Sequence, residues 1–176
     1  MREKADSRKI QKLIQTLGRL EAPSTRLYFT GGATAVLLGW RDTTIDVDLR
    51  FVPESEEVFQ SIPRIKESLR MNVELAWPPD FIPELPGWRE RCLYITREGQ
   101  VSFFHYDLYS QALSKIERGH RQDVSDVKNM IQGGWVEPGL LPSHFAAIEG
   151  QLCRYPAIDP ETFRQAVEET ISLSSS

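Results

Sequence analysis

From Ile45 to Phe51 the chain alternates without a fault: Ile45, Val47, Leu49 and Phe51 are apolar, and Asp46, Asp48 and Arg50 between them are charged. Successive side chains of a strand point to opposite faces, so the pattern predicts a β-strand with one covered and one wet face. Pro53 closes it, because proline cannot donate to a ladder. A second alternating run, Asn72-Val73-Glu74-Leu75-Ala76, predicts another strand. Leu93 to Thr96 and Val101 to Phe104 flank Arg97-Glu98-Gly99-Gln100, which reads as a hairpin and brings in antiparallel pairing. Leu27-Tyr28-Phe29 reads as a buried strand that ends on Thr30-Gly31-Gly32.

Around these strands the period is helical. Ile10, Leu13, Ile14, Leu17 and Leu20 recur on one face of a first helix. Ala33 to Leu38 is a short helix stopped by Gly39, and Glu54 to Leu69 is helical with Pro63 opening a second short helix. The four prolines between Trp77 and Trp88 predict an extended loop there, with the place of a lid. Helices then follow over Leu108 to Arg118, Asp123 to Ile131, Leu141 to Tyr155 and Asp159 to Ile171. The fold class is α+β: a small mixed sheet with helices packed on it and a helical C-terminal third.

With 176 residues, 40% of them apolar, the chain has the material for one hydrophobic core. The expectation is a single domain over 1–172, with a core at about 24–106, a helical part at about 107–172 and a disordered tail at 173–176. The net charge of −4 offers no protein-wide positive field for a polyanion, so nucleic acid would need a local patch. Cys92 and Cys153 form no CxxC, the N-terminal segment has no apolar stretch for a signal peptide, and no run is long enough for a bilayer. A cytoplasmic protein without membrane contact is expected.

The chemistry concentrates in Thr30 to Arg50, where a strand, a Gly-Gly turn and a helix lead back to the strand carrying Asp46 and Asp48. Glycines let a backbone approach phosphate, and a helix N-terminus offers amide groups with a partial positive charge. Aspartates at i and i+2 point the same way from a strand, so their hard oxygens suit Mg²⁺ or Mn²⁺. The plain alternative is that Asp46, Asp48 and Arg50 are only the solvated side of a half-buried strand.

This order of strand, Gly-Gly, helix and strand with Asp-x-Asp resembles the nucleotidyltransferase superfamily, matched at Gly31-Gly32 and Asp46-x-Asp48. The resemblance implies that Asp46 and Asp48 bind the metal and that Glu74, on the next strand and facing the same way as Asn72, is the third carboxylate. The second glycine stands where many members carry serine, so the turn must bind phosphate through amides. Gly31, Gly32, Thr34 and Arg41 are the expected nucleotide contacts; Arg41 equally suits an ion pair with a carboxylate such as Asp42.

Further on, Lys115, Arg118, Arg121, Asp123 and Asp126 are similar to the Lys-then-Arg-Asp-x-x-Asp segment of abortive-infection nucleotidyltransferase toxins and their smaller bacterial relatives. That resemblance implies that Lys115 touches the triphosphate and that Asp123 acts as base or organises the lysine. Structurally, Asp123 also suits the N-cap of the helix that follows it, and Asp126 its first turn. Asp107 is expected to cap the helix at Leu108, and Trp77 and Trp88 to pack in the core. His105, His120 and His144 share no metal spacing with the cysteines.

The function expected is Mg²⁺-dependent transfer of a nucleoside monophosphate from an NTP to RNA, protein or a small molecule, possible as a toxin with a cognate antitoxin. The rival is a catalytically silent relative that binds nucleotide or a partner protein. A metal-dependent phosphohydrolase is a third reading.

Overall fold

The computed structural model describes residues 2–175. Among them are eight α-helices and one five-stranded mixed sheet, so the fold is α+β. The chain divides into two compact units: Met1–Trp77 with Cys92–Tyr106, and Pro78–Arg91 with Asp107–Ser176.

The first unit holds the sheet. Its strands are β1 (Thr25–Thr30), β2 (Asp46–Val52), β3 (Asn72–Leu75), β4 (Leu93–Glu98) and β5 (Val101–His105), in the order β3-β2-β1-β5-β4. β1 runs antiparallel to β2 and parallel to β5, β2 is parallel to β3, and β4 is antiparallel to β5. The alternation of β2 is realised: Val47, Leu49 and Phe51 are buried, and Asp46, Asp48 and Arg50 are half-buried. Ile45, just outside the strand, is 69% exposed and does not extend the buried row.

Helices α1 (Ser7–Gly18), α2 (Gly31–Leu38) and α3 (Glu56–Ser68) supply the apolar cover. Asp6 starts α1 by accepting the Lys9 amide at 2.9 Å, and Ile10, Leu13, Ile14 and Leu17 are buried along one stripe. Burial of each is worth about 2 kcal/mol, which outweighs the weak intrinsic propensity of a helix this short. α2 ends, as expected, on Gly39 in the left-handed region at φ 98.

Pro63 does not open a new helix; α3 runs through it. A proline there costs about 3 kcal/mol in lost hydrogen bonding and crowding, yet Val58, Ile62 and Ile65 anchor both halves of α3 on one core. The hairpin turn is also tighter than expected, because Arg97 and Glu98 belong to β4 and Glu98 pairs with Val101. An irregularity between Tyr94 and Thr96 absorbs one residue and shifts the register. At the turn, Gly99 has φ 60, and a Cβ on it would stand 2.1 Å from the Gly18 carbonyl oxygen.

On the face of β1 away from this core, Tyr28 is also buried. Its ring lies 5.5 Å from Phe104, 6.0 Å from Tyr106 and 6.5 Å from Trp77, so Trp77 packs as expected.

The second unit contains α4 (Trp88–Arg91), α5 (Leu108–Arg118), α6 (Arg121–Gln132), α7 (Leu141–Glu149) and α8 (Pro160–Ser174). Asp107 caps α5 as expected, accepting Tyr109 N–H at 3.1 Å and the Ser110 hydroxyl at 2.7 Å, while Arg91 grips it at 3.1 and 2.8 Å. The proline-rich segment is not a free flap: Ile82 and Leu85 are fully buried, and the Tyr155 hydroxyl donates to the Pro79 carbonyl at 3.0 Å. The helix expected over Leu141 to Tyr155 stops at Glu149, and a 3-10 turn follows at Leu152–Arg154. Leu173 and Ser174, read from composition as tail, end α8; Ser176 lies outside the described residues. No helix among the described residues is long and apolar enough to cross a membrane.

Candidate active site

The site is assembled by strand register. Thr30, the last residue of β1, lies opposite Asp48, and on the other side of β2 Asp48 is paired with Glu74 and Asp46 with Asn72. Side chains paired across neighbouring strands share a face. The register therefore brings Asp46, Asp48 and Glu74 to one side of the sheet, beside the turn that follows Thr30.

That turn meets the carboxylates directly. Gly31 has φ 59, a conformation that costs other residues strain, and a Cβ on it would stand 3.0 Å from Asp48 Oδ2. The same glycine is the first residue of α2, so Asp48 lies against the positive end of that helix. Gly32 is glycine for a different reason: a Cβ there would fall 1.9 Å from Thr44 Oγ1. Thr44 donates from that oxygen to the Asp46 carbonyl at 2.9 Å and thereby ties the start of β2 beneath the turn. The same Cβ would stand 3.4 Å from Arg41 Nη1, which places the guanidinium over the turn.

Thr34 does not join this surface. It is fully buried in α2, donates to the Phe29 carbonyl at 3.3 Å, and lies with Oγ1 3.0 Å from His105 Nδ1. Burial pushes His105 down to about 4, so the ring is neutral at physiological pH. Thr34 and His105 fix α2 to the ends of β1 and β5, and with it the glycine turn.

Asn72 was not among the residues singled out by sequence, although it shares the face of Glu74. Its Nδ2 donates to Asp46 Oδ1 and, at 2.9 Å, to Glu74 Oε1. Among the described residues, no three His, Cys, Asp or Glu side chains stand together as a ready-made metal site. The donor set nevertheless fits Mg²⁺ or Mn²⁺ in its chemistry, being hard carboxylate oxygens on one face of adjacent strands.

Further along β2, Arg50 is held by Glu54 at 3.1 Å and lies over the Trp77 ring at 5.4 Å. It borders a cleft of about 460 Å³ lined also by Ser55, Phe59 and Leu75. Phe59 is 61% exposed there, an apolar side chain left toward solvent.

The remaining expected residues lie in the second unit and hold one another. Lys115, on α5, is buried with Nζ 2.8 Å from Asp126 Oδ2 and 3.7 Å from Asp123 Oδ1. Gln122 Nε2 donates to Asp126 Oδ1 at 3.2 Å. Arg118 clasps Asp123 through Nε at 2.8 Å and Nη2 at 2.5 Å. Asp123 is not the N-cap of α6; it sits inside the first turn and accepts the His120 N–H at 3.2 Å, closing the helix start from within. Burial raises the Asp123 pKa, but the hydrogen bonds and charge of Arg118, with the charge of Lys115, more than offset that and hold it low. Asp126, expected in the first turn of α6, lies one turn further on and is fully buried against Lys115.

A family model described as "Nucleotidyltransferase of unknown function (DUF6036)" matches residues 8–146. No curated protein and no solved structure matches the chain.

Proposed function

The chain belongs to this family of nucleotidyltransferases of unknown function, and from that premise we propose that it transfers a nucleoside monophosphate from an NTP to an acceptor nucleophile, releasing pyrophosphate. The observation that carries the proposal is the meeting of Asp48 with the glycine turn: Oδ2 stands 3.0 Å from where a Gly31 Cβ would be, at the N-terminus of α2. A phosphate bound there would meet backbone amides and the helix dipole on one side and, on the other, carboxylates that need a cation to tolerate it.

Asp46 and Asp48 are the residues that would hold Mg²⁺ or Mn²⁺, with Glu74 completing the set. When bound, the ion supplies neutralisation of phosphate charge and lowers the pKa of an attacking hydroxyl. The rest falls to this chain's own groups. Gly31 keeps the turn open to phosphate, because a Cβ would crowd the Asp48 carboxylate. Arg41, over Gly32, balances charge that gathers on the departing pyrophosphate. Glu74 is exposed and suited to accept the acceptor's proton. The cleft beside Arg50 and Phe59 offers a cation and an apolar ring to a base or an acceptor. RNA, protein and small-molecule hydroxyls all suit this chemistry. Lys115 and Asp123 enter only as the structural ion-pair network described above.

Calorimetry with NTP and Mg²⁺ tests the reading: wild type binds, and Asp46→Asn with Asp48→Asn loses binding while its circular dichroism is unchanged. Equal binding by both proteins rejects it. A second reading, a catalytically silent nucleotide- or partner-binding protein such as a member of a toxin-antitoxin pair, is favoured by the Asn72 amide bridging Asp46 and Glu74. Labelled NTP incubated with cell extract separates the two: label transferred to RNA or protein supports the enzyme, and retained binding without transfer supports the silent form.

A further inference from the structure

Asn72 is bonded on both ends of its amide. Nδ2 donates to Asp46 and Glu74, and Oδ1 accepts from Arg2 Nη1 at 2.5 Å. Only one orientation satisfies all three contacts, because a turned amide would set its oxygen against two carboxylates and its N–H groups against a guanidinium. The residues that follow Arg2 are themselves anchored. Ala5 and Thr44 form an isolated bridge, the Glu3 amide donates to the Arg70 carbonyl at 2.7 Å, and Lys9 pairs with Glu3 at 2.8 Å. The N-terminal strap is thus fastened to the segment that enters β3.

Two carboxylates on adjacent strands repel each other, and a pair of N–H groups directed at both relieves that repulsion as a cation does. We propose that the Asn72 amide is an internal stand-in for the cation: it links Asp46 to Glu74 while the ion is absent and competes with the ion for the same oxygen atoms. The inference rests on the reading of Asp46, Asp48 and Glu74 as metal ligands. Asn72 is then a positioning residue, held in its competing orientation by Arg2.

Competition has a sign that a merely structural role lacks. Whatever stabilises the ion-free arrangement weakens ion binding by the same factor, so removing the amide must tighten it. Losing even one charge-assisted hydrogen bond, at the low end of its worth, corresponds to about tenfold in affinity.

The test is calorimetric titration of the full chain with Mn²⁺, paired with thermal denaturation in EDTA and in Mn²⁺. Asn72→Ala and the better-tolerated Asn72→Ser should bind Mn²⁺ about tenfold more tightly than wild type, with Arg2→Ala shifted the same way by less. Both Asn72 variants should melt earlier in EDTA and gain more from Mn²⁺ than wild type does. Asn72 variants that bind Mn²⁺ no more tightly than wild type overturn the competition. Failure of wild type and both variants alike to bind Mn²⁺ overturns the metal reading beneath it.

Discussion

Protonating His105 is a perturbation whose cost follows from the structure. The ring is 3% exposed at the end of β5, in register with Phe29, with Nδ1 3.0 Å from the Thr34 hydroxyl. Its pKa falls from 6.5 to about 4 because burial disfavours the charged form. Between those values the unfolded chain binds a proton that the folded chain refuses. The contribution is therefore fully present above pH 6.5 and is lost as pH falls toward 4. At about 1.4 kcal/mol per pH unit, the loss is about 3 kcal/mol by pH 4, a large fraction of the stability of a small domain. Urea denaturation of wild type and His105→Gln at several pH values from about 7 to about 4 measures it, because every carboxylate common to both proteins cancels in the difference. Wild type should lose its advantage over the variant by about 3 kcal/mol across that range. A difference that stays flat with pH would show that the folded chain accommodates the imidazolium and would refute the reasoning.

Gly32→Ala should cost about 1–3 kcal/mol in urea denaturation through overpacking on Thr44, whose oxygen would lie 1.9 Å from the new methyl group. Gly39→Ala meets nothing within 4 Å and should cost only about 1 kcal/mol, from its φ of 98; equal losses for the two would contradict the contact geometry. Asp126→Ala strands the buried Lys115 ammonium with Asp123 3.7 Å away and should destabilise by about 3–5 kcal/mol. A loss under about 1 kcal/mol would mean that water or another group reaches Lys115.

What was legible in the sequence was local. The alternation at Val47, Leu49 and Phe51 fixed β2 and its face, and with it the direction of Asp46 and Asp48. The stop at Gly39 fell where a left-handed residue ends a helix. What was not legible depends on partners distant in the chain. Thr34 sits three residues past a phosphate-type turn, yet its hydroxyl faces inward because β5 brings His105 beneath it. Asp126 looked like a first-turn carboxylate facing the helix dipole, and only the packing of α5 on α6 makes it the buried partner of Lys115. Asn72 carried one available signal, its parity with Glu74 in β3, but its role follows from the β2–β3 register. Pro63 misled because the rule against interior proline compares free energies, and the shared core of Val58, Ile62 and Ile65 outweighs it.

The first unit needs residues 92–106 to complete its sheet, since β5 is the neighbour of β1, and the residues just before them, Pro78–Arg91, belong to the other unit. Neither unit is one unbroken piece of polypeptide. During synthesis from the N-terminus, β1 waits for its parallel neighbour until the whole proline-rich excursion has been made. A fragment cut after Tyr106 would keep all five strands but carry Ile82 and Leu85 without helices α5 to α8 of their own unit. Expression trials on the isolated sheet should therefore bridge Trp77 to Cys92 with a short polar linker rather than shorten the C-terminus alone.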